Sequence, residues 1–165
     1  RHSFFFDIFL LKKVSDGVSE YMNKNSRLAK PCMAIVLVGD NPASESYVKG
    51  KTKACEKAGI NYDVIRFDET ITAFELLEEV KRLNKSSYDG FIVQLPLPDH
   101  IKSAAIINEI SDYKDIDGFH PLNFGKMSLG QESFRPATPY GITKLLEHYQ
   151  IETRGKHCVS KSPRQ

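Results

Sequence analysis

Met33-Ala-Ile-Val-Leu-Val38 is an uninterrupted apolar run closed by Gly39. A strand with one wet face alternates apolar and polar side chains; this run does not, so it reads as a strand covered on both faces, as in a parallel sheet between helices. Asp40-Asn-Pro42 follows, offering a helix cap and then a proline suited to the first turn. The spacing predicts a helix from there to Gly59, which is placed to end it. Tyr62 to Phe67 reads as a second strand. Thr72-Ala-Phe-Glu75 is a capping box, opening a helix with Ala73, Leu76, Leu77, Val80 and Leu83 on one face. Gly90-Phe-Ile-Val-Gln-Leu95 is a third strand, stopped by Pro96 and Pro98. Upstream, residues 12–25 form an amphipathic pattern with Val14, Val18 and Tyr21 at helical spacing. Downstream, Ser103 to Ile110 is a short helix, residues 111–137 are mostly loop, and Thr138-Pro139 caps a helix to Tyr149 with Ile142, Leu145, Leu146 and Tyr149 facing inward. Strands alternating with helices predict a three-layer α/β domain with a largely parallel sheet. Ligands in such domains bind beyond the carboxyl ends of the strands.

The chain has 165 residues, 23 basic against 21 acidic, for a net charge of +2. That balance, with the lysines dispersed, leaves no footprint for nucleic acid or an anionic membrane. No apolar run approaches the roughly 18 residues that span a bilayer. Phe4 to Leu11 is short, broken by Asp7, and lacks a small-residue cleavage site, so it does not read as a secretory signal. Cys32, Cys55 and Cys158 are far apart, which suggests neither a zinc site nor a redox pair. The expectation is reduced thiols in a reducing, cytoplasmic compartment. No internal repeat or low-complexity tract interrupts the chain.

The predicted helix after Pro42 carries an anomaly. At about 100° per residue, Tyr47, Lys51, Ala54 and Ala58 fall on one stripe, flanked by Val48 and Cys55, opposite a solvated face of Glu45, Lys49, Lys53 and Lys57. Lys51 is the single charge on the small-residue side, where it must snorkel, pair or reach a site; a partly buried lysine is suited to act as a base. Gln94 interrupts an apolar strand. It is either a glutamine at a fraying strand end or a hydrogen-bond partner for a ligand or for Lys51, since a buried amide without partners costs roughly 1–3 kcal/mol. Asp115-Ile-Asp117-Gly118 fails the calcium-loop pattern, because Tyr113 and Phe124 stand where acids are needed. It reads as an Asp-Gly turn or as presenting Asp117 to a ligand. Gly125 to Gly130 has the glycine spacing of a phosphate loop but is followed by Gln131 and Glu132. His120 lies in a loop before Pro121, with or without a ligand contact; His100, His148 and His157 read as surface residues. A lysine, an amide and a carboxylate in one cleft suit acid–base work on a polar heterocycle or a carbonyl compound. Spacing does not choose between them.

Five blocks carry a resemblance: Gly39-Asp-Asn-Pro-Ala-Ser44, Tyr47 to Gly59, Val93-Gln-Leu-Pro-Leu-Pro98, Lys114-Asp-Ile-Asp-Gly-Phe-His-Pro121 and Pro136-Ala-Thr-Pro139. In this order they resemble methylenetetrahydrofolate dehydrogenase/methenyltetrahydrofolate cyclohydrolase, from about Lys12 to about Val159. The resemblance implies a two-activity enzyme of one-carbon metabolism acting on tetrahydrofolate derivatives. One activity oxidises 5,10-methylenetetrahydrofolate with NADP; the other hydrolyses the methenyl product to 10-formyltetrahydrofolate. By position Lys51 would be the catalytic lysine of the second step, Gln94 its hydrogen-bond partner, Tyr47 a stacking platform, Asp117 the carboxylate that binds the pterin edge, and Ser44 a supporting residue. No metal is implied. The family continues after a Gly155-Lys-His-Cys-Val159 strand into a nucleotide-binding domain with a Gly-Arg-Ser-x-x-Val-Gly-x-Pro turn. Here Ser160-Lys-Ser-Pro-Arg-Gln165 follows instead, and residues 1–11 depart from the family's polar start. The expected division is an atypical segment (1–11), a folate-binding catalytic domain (12–150), and the start of a Rossmann-type domain with an atypical tail (151–165). The NADP-binding region is expected to be absent. The family's homodimer leans on it and is not expected of this stretch. The expected activity is at most residual cyclohydrolase, and the alternative is a non-catalytic folate-binding or interaction fragment.

Overall fold

In the computed structural model, residues 14–24 and 30–159 are described. The expectations for residues 1–11 and 160–165, and the ends of the first predicted helix, lie outside them. Residues 14–24 are helical (α1). There follow β1 (Cys32–Val38), α2 (Pro42–Ala58), β2 (Asn61–Phe67), α3 (Ala73–Asn84), β3 (Gly90–Val93), α4 (Ser103–Glu109), α5 (Pro121–Ser128) and α6 (Ala137–His148). The three strands form one sheet in the order β2-β1-β3, with both pairings parallel. Cys32 aligns with Asn61, and Met33 with Gly90.

β1 is central because both its faces are apolar. Ala34, Val36 and Val38 point into a core shared with Leu76, Val80 and Leu83 of α3, Phe91 and Val93 of β3, and Ile106 of α4. Ile35 and Leu37 point to the other side, onto Val48 of α2. This is the period of two expected of a strand, with apolar residues at both phases because both faces are covered. α2 therefore lies on one face of the sheet and α3 and α4 on the other, in the three layers expected.

The local signals hold at most element ends. Asn41 caps α2, its side chain accepting from the backbone N–H of Ala43 and Ser44, with Pro42 in the first turn. Gly59 closes the helix at φ +75°, a conformation that a β-carbon disfavours. Thr72 and Glu75 form the capping box reciprocally. Lys114 is buried, and its Nζ donates to Ser86 O at 2.6 Å and Tyr88 O at 2.8 Å, satisfying carbonyls just past α3.

Three expectations need correction, and one needs an addition. The stretch 111–137 is mostly loop, as expected, but it also holds a helix the patterns did not show: α5, started by His120, whose Nδ1 accepts from Leu122 N–H, and by Pro121. Thr138 and Pro139 lie inside α6, whose N-cap is Pro136 with no side-chain cap bond. No residue of α6 is buried; Ile142 and Tyr149 are exposed and Leu145 and Leu146 half-buried, so its apolar face is only partly covered among the described residues. Residues 155–159 form no strand, and residues 151–159 are exposed throughout. A strand requires a paired edge, and none of the described strands pairs with these residues.

Candidate functional site

The sheet order creates the position of the site. From β1 the chain crosses to β2 on one side, then returns to place β3 on the other. Such a reversal opens a crevice between the carboxyl ends of the two strands that part company, here β1 and β3. Gln94 follows β3 directly; its backbone N–H still bonds Val36 O at 2.9 Å, so it is held at the end of the ladder, not fraying. A single parallel bridge from Phe91 to Asp115 continues the sheet beyond β3. Two residues past that bridge, at the same end of the sheet, stands Asp117.

Three elements thus converge. Lys51, on α2, donates from Nζ to Gln94 Oε1 at 3.1 Å and lies 4.0 Å from Asp117 Oδ2. Gln94 in turn donates from Nε2 to Leu95 O at 2.6 Å, which sets the amide's orientation and turns its carbonyl to the lysine. The Lys51 side chain is 32% exposed and that of Asp117 20%, so the pair is neither dry nor fully solvated. Burial pushes the Asp117 carboxyl above the ordinary aspartate value; Lys51 pulls it down, and Asp115 pushes it up again. Desolvation wins because the lysine stands beyond hydrogen-bond reach.

The dry stripe of α2 is rotated from the one expected. Its buried residues are Ser44, Val48, Cys55 and Ala58, so the helix faces the sheet along Val48 and Lys51 sits on the flank. This rotation gives the lysine its access to the crevice. Tyr47, one turn earlier, is 65% exposed and free to meet a ligand from solvent. Ser44 is 1% exposed, and its Oγ has no hydrogen-bond partner. It belongs to the packed underside of α2 and is not brought to the crevice surface.

Asp115 and Asn123 are buried polar residues at this site to which the sequence patterns above assign no role. The Asp115 carboxylate receives the N–H groups of the turn that carries Asp117. A signal for it exists: in Asp115-Ile-Asp117-Gly118 the first acid, not the second, closes the turn. Gly118 has φ +72°, and a β-carbon there would lie 2.5 Å from the Arg135 carbonyl carbon, so the turn packs directly on the segment leading into α6. His120 is spent on capping α5. A groove of about 730 Å³ is lined by Val14, Phe134, Tyr140 and neighbours, and none of Tyr47, Lys51, Gln94 or Asp117 lines it.

Among the described residues no cluster of His, Cys, Asp or Glu suits a metal ion. At α2 the N–H groups of Ala43 and Ser44 go to Asn41, and at α3 that of Glu75 goes to Thr72.

Residues 10–117 match the family of the tetrahydrofolate dehydrogenase/cyclohydrolase catalytic domain. A bifunctional FolD protein of Geobacter metallireducens is 56% identical over 151 residues, covering 91% of this chain and 51% of that protein. The crystal structure of the Campylobacter jejuni bifunctional FolD enzyme superposes with a TM-score of 0.80 at 46% identity, over 86% of this chain and 51% of that one. The Trypanosoma brucei methylenetetrahydrofolate dehydrogenase-cyclohydrolase, solved with NADP cofactor and inhibitor, gives 0.83 at 27% identity, over 91% and 51%. The chain spans about half the length of the relatives it matches.

Proposed function

Since the chain belongs to the tetrahydrofolate dehydrogenase/cyclohydrolase family by its catalytic domain, we propose that it is the folate-binding part of a bifunctional methylenetetrahydrofolate dehydrogenase/cyclohydrolase, with Lys51, Gln94, Asp117 and Tyr47 as its site. The observation that carries this reading is the convergence of Lys51 Nζ on Gln94 Oε1 at 3.1 Å and Asp117 Oδ2 at 4.0 Å, from three separate elements, at the switch point of the sheet.

The chemistry follows from the groups present. A reduced pterin offers adjacent N–H donors on one edge, and a carboxylate accepts two such bonds side by side, the role assigned to Asp117. The exposed ring of Tyr47 offers a flat apolar surface to a flat heterocycle. In the hydrolytic step water adds to the methenyl carbon, the bond to N5 breaks, the formyl group stays on N10, and one proton is released. Lys51 is the group that passes that proton, its nitrogen held by the hydrogen bond to the Gln94 carbonyl. Ser44 takes a supporting role by packing α2, not by touching substrate. Hydride transfer is not assigned to these residues. The three free cysteines agree with a reducing, cytoplasmic setting. No helix among the described residues is long and apolar enough to cross a membrane.

The test is hydrolysis of 5,10-methenyltetrahydrofolate by the purified chain, followed by the loss of its absorbance. Lys51→Ala is expected to return the rate to that of buffer, a loss of roughly 10²-fold or more where a general acid–base group is removed. Equal rates for the two proteins would sink the catalytic reading. Binding of a reduced folate that Asp117→Ala weakens, without turnover, would identify a folate-binding module instead.

A further inference from the structure

The Asp115 carboxylate is 1% exposed. Its Oδ1 accepts the N–H of Gly118 at 3.1 Å and of Phe119 at 3.2 Å; its Oδ2 accepts the N–H of His120 at 2.8 Å and Asn123 Nδ2 at 3.0 Å. Four donors fill the four lone-pair sites of an ionised carboxylate, the condition under which burying the charge is tolerated. Asn123, itself 2% exposed, also donates from Nδ2 to Asp112 O at 2.7 Å, tying the first turn of α5 to the segment before Asp115. On its other side Asp117 is held by its own carbonyl, which accepts from Ala137 N–H at 3.3 Å. The short turn 115–120 is thus closed around one anion, and Asp117 is the residue it lifts toward Lys51.

We infer that Asp115, anchored by Asn123, is the positioning residue for Asp117: it fixes that carboxylate opposite Lys51 and so sets affinity for a ligand that it never touches. The inference rests on the reading of Asp117 as a folate-binding carboxylate. It differs from a general stabilising role in one respect: everything Asp115 contributes to affinity passes through Asp117. Asp117 is faced by Lys51 from α2 and by Asp115 from its own loop, and the anion in that loop discourages ionisation of Asp117. Because Asp117 must be ionised to accept N–H bonds, affinity fades as pH falls through its titration, and removing the anion moves that acid limb to lower pH.

The experiment is calorimetric titration of the full chain with 5-formyltetrahydrofolate, well below the unfolding temperature of each variant. Asp115→Asn, which leaves an amide N–H group where an acceptor is needed, is expected to weaken binding about tenfold and to shift the acid limb down; made on top of Asp117→Ala it is expected to add less than about twofold. If Asp115→Asn fails to fold, Asn123→Ala removes a single neutral donor and serves in the same cycle, with an expected loss of about threefold. Wild-type affinity in Asp115→Asn, or an effect that adds in full to that of Asp117→Ala, overturns the positioning role. Asp117→Ala without effect, or no binding by the unaltered chain, overturns the reading of the site itself, so the two failures are distinct.

Discussion

Asp117 stands between a cation at 4.0 Å and a second acid two residues away, and its burial outweighs the cation. The sign of its contribution to stability follows. The folded state binds the Asp117 proton more tightly than the unfolded chain does, so stability falls as pH rises through the window that starts at the ordinary value of 3.8 and ends at the raised one. Replacing it with the isosteric amide removes this dependence. Asp117→Asn is expected to be more stable than the wild type at neutral pH and no more stable below that window; urea unfolding across pH checks it, and a constant difference between the two proteins refutes it. Lys51 was legible as an anomaly of charge on an otherwise small-residue stripe, and Gln94 as a polar break in an apolar strand. Ser44 was not legible as a packed residue. A small hydroxyl near a helix cap reads the same whether it faces the sheet or a ligand, and only the rotation of α2 about Val48 decides.

Among the elements, α3 and α6 have similar amphipathic patterns and opposite fates. Leu76, Val80 and Leu83 of α3 are fully buried against β1 and β3. Ile142 of α6 is 53% exposed, and its helix covers nothing comparable. Leu76→Ala is therefore expected to cost about 3 kcal/mol through the cavity it leaves, and Ile142→Ala less than about 0.5 kcal/mol, as for a surface position. Chemical denaturation of the two variants separates them, and comparable losses would show that α6 packs as α3 does. The periodicity of α6 was legible; its partner was not, because a pattern announces a face without supplying what covers it. α5 failed to show for the converse reason. Its interior glycine, Gly125, weakens its local preference, and it is held instead by long-range bonds from Asn123 to Asp112 and Asp115. The strands and α2 were legible because each carries its own punctuation: Asn41 and Pro42, Gly59, and the doubly apolar phase of β1.

For the whole molecule, the sheet order β2-β1-β3 contains no hairpin. The crevice exists because of that order, and neither strand order nor register is written in the composition of any one segment. What was legible was the class of sheet, from β1, and hence the end at which a site would form. The same order has a consequence in time. Pairing β1 with β2 closes a loop of about thirty residues, and pairing β1 with β3 one of about sixty, the second dearer by roughly 0.6 kcal/mol of chain entropy. During synthesis the shorter loop is also completed first. Lys51 is carried into place by the β1-α2-β2 unit, while Gln94 and the Asp117 turn join only when the other edge of β1 is taken. Pulse-labelling exchange during refolding is expected to protect the amides of β2 before those of β3; the reverse order would refute it. In that order Lys51 is in place first and its partners Gln94 and Asp117 arrive last, so the proposed site would be complete only when folding is.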